Sequence, residues 1–120
     1  MNFDPTRHLT TESSQQNGVV IFTLNGECDM HTAPYVRLEV SPILQAAGSV
    51  VIDLHNVTFM DSAGYGMLVG LARIATDNGG KMCILAPTTG IVASGLKVLQ
   101  VGDWIPIANT LEDALTRIKD

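Results

Sequence analysis

The sequence has few of the residues that mark disulfides and metal sites. Its 120 residues include only two cysteines, Cys28 and Cys83, which lie in apolar stretches without CxxC or metal-like spacing. We therefore predict two reduced, buried thiols in an intracellular protein.

Long apolar segments and basic clusters are also missing. Residues 1–12 lack the apolar core of a signal peptide, and no window reaches the roughly 18 apolar residues that a membrane-spanning helix needs. Seven Lys and Arg stand against twelve Asp and Glu, and the net charge of -5 is the wrong sign for a phosphate backbone or an anionic membrane. We expect a cytoplasmic protein of one domain, residues 1–120, that is monomeric when free and binds neither nucleic acid nor membrane.

The sequence patterns of common enzymes are absent as well. A serine hydrolase would need Gly-x-Ser-x-Gly, but Met60 stands where the first glycine belongs. None of the three histidines has a recognisable triad context: His8, His31 and His55. No HExxH motif or Cys/His cluster indicates zinc. We expect a non-enzymatic protein without catalytic residues, metal or cofactor.

Two further alternatives involve phosphate chemistry. Asp53 ends an apolar strand, as the phosphoacceptor of a receiver domain does, but no adjacent acidic pair follows the first strand to hold Mg²⁺, and no late strand ends in a convincing lysine. The pair Gly64-x-Gly66 lacks the longer spacing and the lysine of a phosphate-binding loop. Both alternatives are disfavoured.

What the sequence does contain is an alternation of strand and helix patterns. Five strands are predicted: an edge strand at 7–12, 19–24 after the Asn-Gly turn of QQNG, 49–54, 81–86 and 105–107. Four helices are predicted: one capped by Thr32 with a kink or break at Pro42, one ending at Gly79-Gly80, one at 91–99 capped by Thr88 or Thr89, and one opened by a capping box at Thr110. This order predicts an α/β fold, a mixed, mostly parallel sheet of four to five strands with four helices against it.

In a parallel sheet, the strands that lead directly into helices end at the same edge. The loops at 27–31, 56–62 and 86–89 should therefore meet there. Four residues are expected beside Ser62: Asp29, His31, Pro87 and Thr88.

The stretch FMDSAGYGMLVGL, residues 59–71, starts a helix with two glycines. Each glycine costs roughly 1 kcal/mol relative to alanine inside a helix. Gly64 and Gly66 therefore indicate a need for bare backbone. Three needs stay open: close packing on the sheet, a bound anion, and a partner protein that approaches Ser62.

Two separated motifs resemble those of the STAS-domain anti-sigma factor antagonists. Residues 53–66 read D-L-x-x-V-x-F-x-D-S-x-G-x-G, and residues 24–34, LNGECDMHTAP, resemble the family's L-x-G-E-x-D-x-x-T-A segment. The end of the chain, 111–118, resembles the family's closing helix. The likeness covers residues 19–119 and implies a single STAS-like domain.

The resemblance implies a phosphorylation-controlled regulator of transcription that works by partner switching. In that family, a kinase-type anti-sigma factor phosphorylates the serine of D-S-x-G. The unmodified antagonist binds that factor and releases the sigma factor, and a serine phosphatase resets it. Carried over by motif, Ser62 is the phosphorylation site. The implied partner-binding residues are Asp29, His31, Asp61, Ser62, Ala63, Gly64, Tyr65 and Gly66.

Several of these residues also have structural interpretations. Asp61 suits an N-cap, Asp29 suits a turn former, and Asp53 suits structural hydrogen bonding. Met60, Tyr65 and Met67 would form either an apolar contact patch or core, with core favoured for Met67, and Tyr65 departs from the leucine usual in the family. A non-switching STAS subunit of a transporter or signalling assembly is the main alternative function.

A phosphate on Ser62 would change binding more than it changes the fold. It adds roughly -1.5 to -2 charge, which a helix dipole and free N–H groups favour by roughly 0.3–2 kcal/mol. A partner that covers Ser62 would have to desolvate this charge beside Asp61, at a cost of roughly several kcal/mol if it is unpaired. We predict a switch in binding with little change of shape.

Overall fold

The sheet begins with a hairpin that two residues determine. In the computed structural model, which describes residues 7–119, Asn17 and Gly18 have φ angles of 56° and 77°. Positive φ at both positions is what a two-residue type I′ turn requires. This turn joins β1 (Leu9–Gln16) to β2 (Val19–Cys28), which run antiparallel. The predicted Asn-Gly hairpin is confirmed, although β1 starts two residues later than predicted and continues to Gln16.

The remaining strands extend one five-stranded sheet in chain order. These strands are β3 (Ser49–Met60), β4 (Lys81–Leu85) and β5 (Ile107–Ala108). The order is β1-β2-β3-β4-β5, and every pair after the first is parallel. The predicted mixed, mostly parallel sheet is confirmed.

Four helices connect and cover the strands. They are α1 (Ala33–Gln45), α2 (Ser62–Asn78), α3 (Ile91–Val98) and α4 (Leu111–Lys119). One buried cluster joins the sheet to α1, α2 and α3, and a second joins its other face to α4. In β3, Val50 and Ile52 belong to the first cluster and Val51 to the second, as expected for a central strand covered on both faces. Both cysteines are buried and unbridged, as predicted.

The β2–β3 pair is longer than its apolar runs indicated. After register shifts between Thr23 and Asn25 and between Gly26 and Glu27, it continues to the pairing of Cys28 with Met60. The predicted strands stopped near residues 24 and 54 because polar side chains follow there. β4 pairs with β3 only as far as Leu85, opposite Asp53, so the β2–β3 pair continues beyond it.

Several predicted helix boundaries need correction. Helix α1 does not break at Pro42, because this proline lies near its end at Gln45 and removes only one late hydrogen bond. Thr32 occupies the N-cap position but makes no capping bond, and the residue that precedes α3 is Gly90 rather than Thr88 or Thr89.

At the end of the chain, one prediction is confirmed and another is shifted. The backbone N–H of Asp113 donates to Thr110 Oγ1 over 3.1 Å, which confirms the cap of α4. The last strand lies at 107–108 instead of 105–107, and Ile105 is a buried core residue ahead of it.

Candidate functional site

The single residue between β3 and α2 is an aspartate that caps the helix. The carboxylate Oδ1 of Asp61 accepts hydrogen bonds from the backbone N–H groups of Ala63, at 2.9 Å, and Gly64, at 3.2 Å. Its backbone is extended, as an N-cap residue requires. The predicted capping role of Asp61 is confirmed.

The same carboxylate also holds the turn between β2 and α1. Its second oxygen, Oδ2, accepts a hydrogen bond of 3.2 Å from the backbone N–H of Met30, and the Asp61 N–H donates to the carbonyl of Cys28 at 3.3 Å. Asp61 therefore fixes the start of α2 against the β2–α1 turn. The sequence predicted that these loops meet, but it did not indicate which side chain joins them.

Asp29 organises its own turn. Its Oδ1 accepts hydrogen bonds from the backbone N–H groups of His31 and Thr32, at 2.9 and 3.1 Å. The buried Thr32 hydroxyl donates to the carbonyl of Glu27 over 2.8 Å. The turn-forming interpretation of Asp29 is confirmed. Partial burial acts to raise the pKa of Asp29, but these backbone bonds and the Thr32 hydroxyl outweigh it and hold that pKa below its ordinary value.

Ser62 is the first residue of α2, and its side chain is exposed. It follows Asp61 directly, so it lies at the carboxyl end of β3 next to the β2–α1 turn that carries Asp29 and the exposed His31. Pro87 and Thr88, also expected here, line a surface cavity of about 540 Å³ whose lining residues lie between 86 and 117. The described hydrogen bonds of the Ser62 turn lead to β2 and to the β2–α1 turn.

The first two glycines of α2, Gly64 and Gly66, have different surroundings. A Cβ added to Gly64 would lie 2.5 Å from Met60 Cγ and 2.7 Å from the carbonyl oxygen of Cys28. Gly64 is therefore required for close packing of α2 on the ends of β2 and β3. A Cβ added to Gly66 would meet nothing within 4 Å, and Gly66 is exposed. Packing accounts for Gly64 and leaves Gly66 unexplained.

Tyr65 is a core residue, which corrects its predicted place among the partner-binding side chains. It is 8% exposed, and its hydroxyl donates to the carbonyl of Val92 on α3 over 3.4 Å. The Tyr65 ring occupies the space that a side chain at Gly95 would need. Met60 and Met67 are buried as well, so of the two interpretations, contact patch or core, the structure supports the core, which was the one favoured for Met67. Gly64 is also buried and offers no side chain to a partner.

A groove beside Ser62 was not predicted from the sequence. We call it the α1–α2 groove; it has a volume of about 330 Å³ and runs between the starts of the two helices. One wall contains Met30, Ala33, Pro34 and Arg37, and α2 contributes Ala63, Gly66 and Met67. The sequence contained one indication of this groove: Met30, in the β2–α1 turn, and Arg37, in α1, are at non-core positions.

Asp53 makes hydrogen bonds within its own strand. Its Oδ1 accepts hydrogen bonds from the backbone N–H of His55 at 3.0 Å and contacts His55 Nδ1 at 2.9 Å. It lies in the middle of β3, seven residues before its end, and not at the helix-proximal end where a receiver phosphoacceptor was considered. Within residues 7–119, no group of three or more His, Cys, Asp and Glu side chains is arranged to hold a metal ion. The structural interpretation of Asp53 is supported and the receiver alternative is not.

Cys28 lies directly beneath the site. Its side chain is fully buried, and burial, with Asp61 and Asp29 nearby, raises its pKa to about 12. The thiol therefore stays protonated near neutral pH and acts as an apolar support for Gly64.

Fold and site together define a small α/β domain that presents an exposed serine at the start of the helix following its central strand. A family model described as the STAS domain matches residues 10–114, and the chain belongs to this family. The predicted family is confirmed. No helix within the described part of the chain is both long and apolar enough to cross a membrane.

Curated relatives with related sequences are anti-sigma factor antagonists. The chain is 34% identical over 79 residues to an anti-sigma F factor antagonist of Paenibacillus polymyxa, covering 64% of this chain and 68% of that protein. It is 27% identical over 75 residues to an anti-sigma-B factor antagonist of Bacillus subtilis, covering 62% and 69%.

Solved structures agree with the fold. An anti-sigma factor antagonist from Mycobacterium paratuberculosis superimposes with a TM-score of 0.83 at 26% identity, over 93% of this chain and 95% of that one. The antagonist SpoIIAA in its unphosphorylated form superimposes with a TM-score of 0.69 at 24% identity, over 92% and 97%, and supports the fold alone.

Proposed function

We propose that this chain is an anti-sigma factor antagonist whose unmodified form binds a kinase-type anti-sigma factor and thereby releases a sigma factor. Phosphorylation of Ser62 by that kinase blocks the binding, and a serine phosphatase restores it. The chain acts as a regulator, not as an enzyme, and works in the cytoplasm, where sigma factors act. The antagonists among its relatives favour this function over a subunit of a transporter.

The proposal rests on Ser62, whose side chain is exposed and whose backbone is held in place by Asp61. Phosphoryl transfer requires the serine hydroxyl to reach a nucleotide in the kinase active site, so the side chain must be exposed and its position defined. Asp61 fixes the position of Ser62, because its carboxylate accepts hydrogen bonds from three backbone N–H groups in two segments. Gly66, one turn along α2, leaves room for the approaching protein.

The charges around Ser62 make a phosphate there costly to cover. The N–H groups of Ala63 and Gly64 already donate to Asp61, so fewer free donors remain for the phosphate than the sequence indicated. The phosphate would add roughly -1.5 to -2 charge beside the carboxylates of Asp61 and Asp29. A partner surface closing over this group loses roughly tenfold in affinity for each 1.4 kcal/mol of uncompensated desolvation.

The test is phosphate mapping. The chain is incubated with ATP and each candidate kinase-type anti-sigma factor of the same organism, and the modified residue is found by mass spectrometry. We expect phosphate on Ser62, loss of phosphorylation in Ser62→Ala, and normal phosphorylation in Ser14→Ala, which removes an exposed serine of β1. Phosphate on Asp53, or transfer to no residue with any candidate, contradicts the proposal.

A further inference from the structure

The α1–α2 groove lies next to the phosphoacceptor. Ala63, which follows Ser62, and Gly66, one helical turn from Ser62, both line it. A protein that brings a nucleotide to the Ser62 hydroxyl therefore lies close to the groove. The surface is continuous with the interface of the proposed function, and the inference rests on that function.

The groove combines apolar side chains with an arginine that makes no ion pair among the described residues. Met30, 65% exposed, lines the groove. Leu38, 71% exposed, lies outside the lining but on the same face of α1 as Pro34, four residues later. Arg37 lines the groove, and its guanidinium lies 3.7 Å from where a Cβ of Gly70 would be. Among the ion pairs of residues 7–119, none involves Arg37.

Among the described Lys and Arg side chains only Arg117 makes an ion pair, so the lack of one is not special to Arg37. What distinguishes Arg37 is its place, because it is the one basic side chain that lines the groove beside Ser62. Charge complementarity therefore favours an acidic group on whatever covers the groove. The exposed methionine and leucine favour an apolar side chain next to that group.

We propose that the α1–α2 groove receives a segment of the kinase-type anti-sigma factor that carries an apolar side chain and a carboxylate. The apolar side chain packs against Met30 and Pro34, and the carboxylate pairs with Arg37. The groove thus sets which anti-sigma factor is recognised, whereas the Ser62 turn sets whether recognition is allowed.

Charge reversal of Arg37 tests the carboxylate. The kinase used is the one that phosphorylates Ser62 in the mapping experiment, and its complex with the unmodified chain is measured by titration calorimetry at low and high salt. Arg37→Glu should weaken binding about tenfold, with a smaller loss at high salt, because a favourable rim pair becomes a like-charge contact. It should raise KM for Ser62 phosphorylation and leave kcat unchanged, because the serine itself is untouched.

Arg73→Glu is the matched control. Arg73 is also exposed and makes no ion pair among the described residues. Its substitution by Glu changes the net charge by the same amount. However, Arg73 lies about 16 Å along α2 from Ser62, beyond the groove. Its effect should stay below about threefold. Equal losses in the two variants would reduce the effect to net charge and overturn the proposal, as would unchanged binding of Arg37→Glu.

Gly66→Gln tests occupation of the groove. The added side chain meets no atom of the protein within 4 Å at Cβ, so the fold should be at least as stable as that of the parent chain, while the groove is partly filled. We expect weaker binding with an unfolding midpoint equal to or above that of the parent chain. Full binding by this variant would show that the groove stays empty in the complex. If no kinase modifies Ser62, the proposed function fails and this inference fails with it. A kinase that modifies Ser62 and binds Arg37→Glu and Gly66→Gln as tightly as the parent chain refutes the inference alone.

Discussion

Gly64 and Gly66 lie two residues apart in one helix and have different roles. A side chain at Gly64 would collide with Met60 and with the backbone of Cys28, so this glycine allows α2 to approach the sheet. A side chain at Gly66 would meet open space. From the sequence, the same explanations were open for both glycines. Only the contacts at each backbone position distinguish close packing at Gly64 from free space at Gly66.

The two glycines give opposite predictions for stability. Gly66→Ala should raise the free energy of unfolding by about 0.5–1 kcal/mol, because alanine restricts the unfolded chain and suits a helix. Gly64→Ala should lower it by about 1–3 kcal/mol, because the methyl group overpacks a rigid junction. Urea unfolding of the two variants measures both effects. Equal changes of the same sign would contradict the packing assigned to Gly64.

The buried thiols predict a loss of stability in alkali. Burial raises the pKa of Cys28 to about 12 and that of Cys83 to about 11, above the ordinary value of 9.0. The unfolded chain releases these protons near pH 9, but the folded chain retains them. The stabilising contribution is therefore complete below pH 9 and decreases as pH rises toward the folded-state pKa, by about 1.4 kcal/mol per pH unit for each thiol.

Unfolding in urea between pH 8 and pH 10.5 measures this dependence. Cys28→Ala has one titrating thiol fewer, so its stability should decline less steeply with pH than that of the parent chain, whatever its stability at pH 8. Cys83→Ala, on the other face of the sheet, should show a similar reduction in slope. Parallel pH profiles for all three proteins would mean that the thiols are not held protonated.

At the scale of elements, one carboxylate connects α2 to the β2–α1 turn. Asp61 Oδ1 caps the helix and Oδ2 binds the Met30 N–H, so the two segments that flank Ser62 share a single support. Cap formation alone is worth about 1 kcal/mol. The third bond extends that stabilisation to a loop from another part of the chain.

Substitution of Asp61 should separate the helix cap from the bond to the loop. Asp61→Ala should lower the free energy of unfolding by about 2 kcal/mol, because it removes the cap and the bond to the loop. Asp61→Asn should cost about 1 kcal/mol, because its amide oxygen can still cap the helix but its NH2 group cannot accept the Met30 N–H. Amide exchange of Ala63 and Gly64 should accelerate only in the alanine variant, whereas that of Met30 should accelerate in both. Acceleration at Ala63 without any change at Met30 would show that Asp61 does not hold the loop.

Hydrophobic patterns predicted the elements of this fold more reliably than their ends. The helices and strands follow from apolar spacing, and the cap of α4 follows from Thr110. The extension of β2 and β3 carries exposed polar residues such as His55 and Asn56, which no apolar pattern indicates. The burial of Tyr65 depends on space left by Gly95, thirty residues later in the chain. Motifs identified the turn that carries Ser62, but the α1–α2 groove depends on how two helices pack and was not predicted.

At the scale of the whole molecule, the site occupies the end of the sheet where structure is fixed from several directions. The β2–β3 pair supports both turns, α2 is packed tightly through Gly64, and buried side chains continue beneath Cys28. A charge added on the outside of this framework meets solvent and the carboxylates of Asp29 and Asp61, but it displaces no core residue. The fold should therefore tolerate negative charge at position 62, whereas the interface with the partner should not.

Variants of Ser62 should separate folding from binding. Ser62→Asp should unfold within about 1 kcal/mol of the parent chain, because an acidic residue in the first turn of a helix is favoured by the dipole. It should bind the kinase at least about tenfold more weakly, because the carboxylate is desolvated beside Asp61. Ser62→Ala should bind within about threefold of the unmodified chain and resist phosphorylation. Ser14→Asp, with the same charge on exposed β1, controls for net charge and should bind normally. A Ser62→Asp variant that unfolds, or that binds as tightly as Ser14→Asp, would show that charge at the start of α2 does not control this interface.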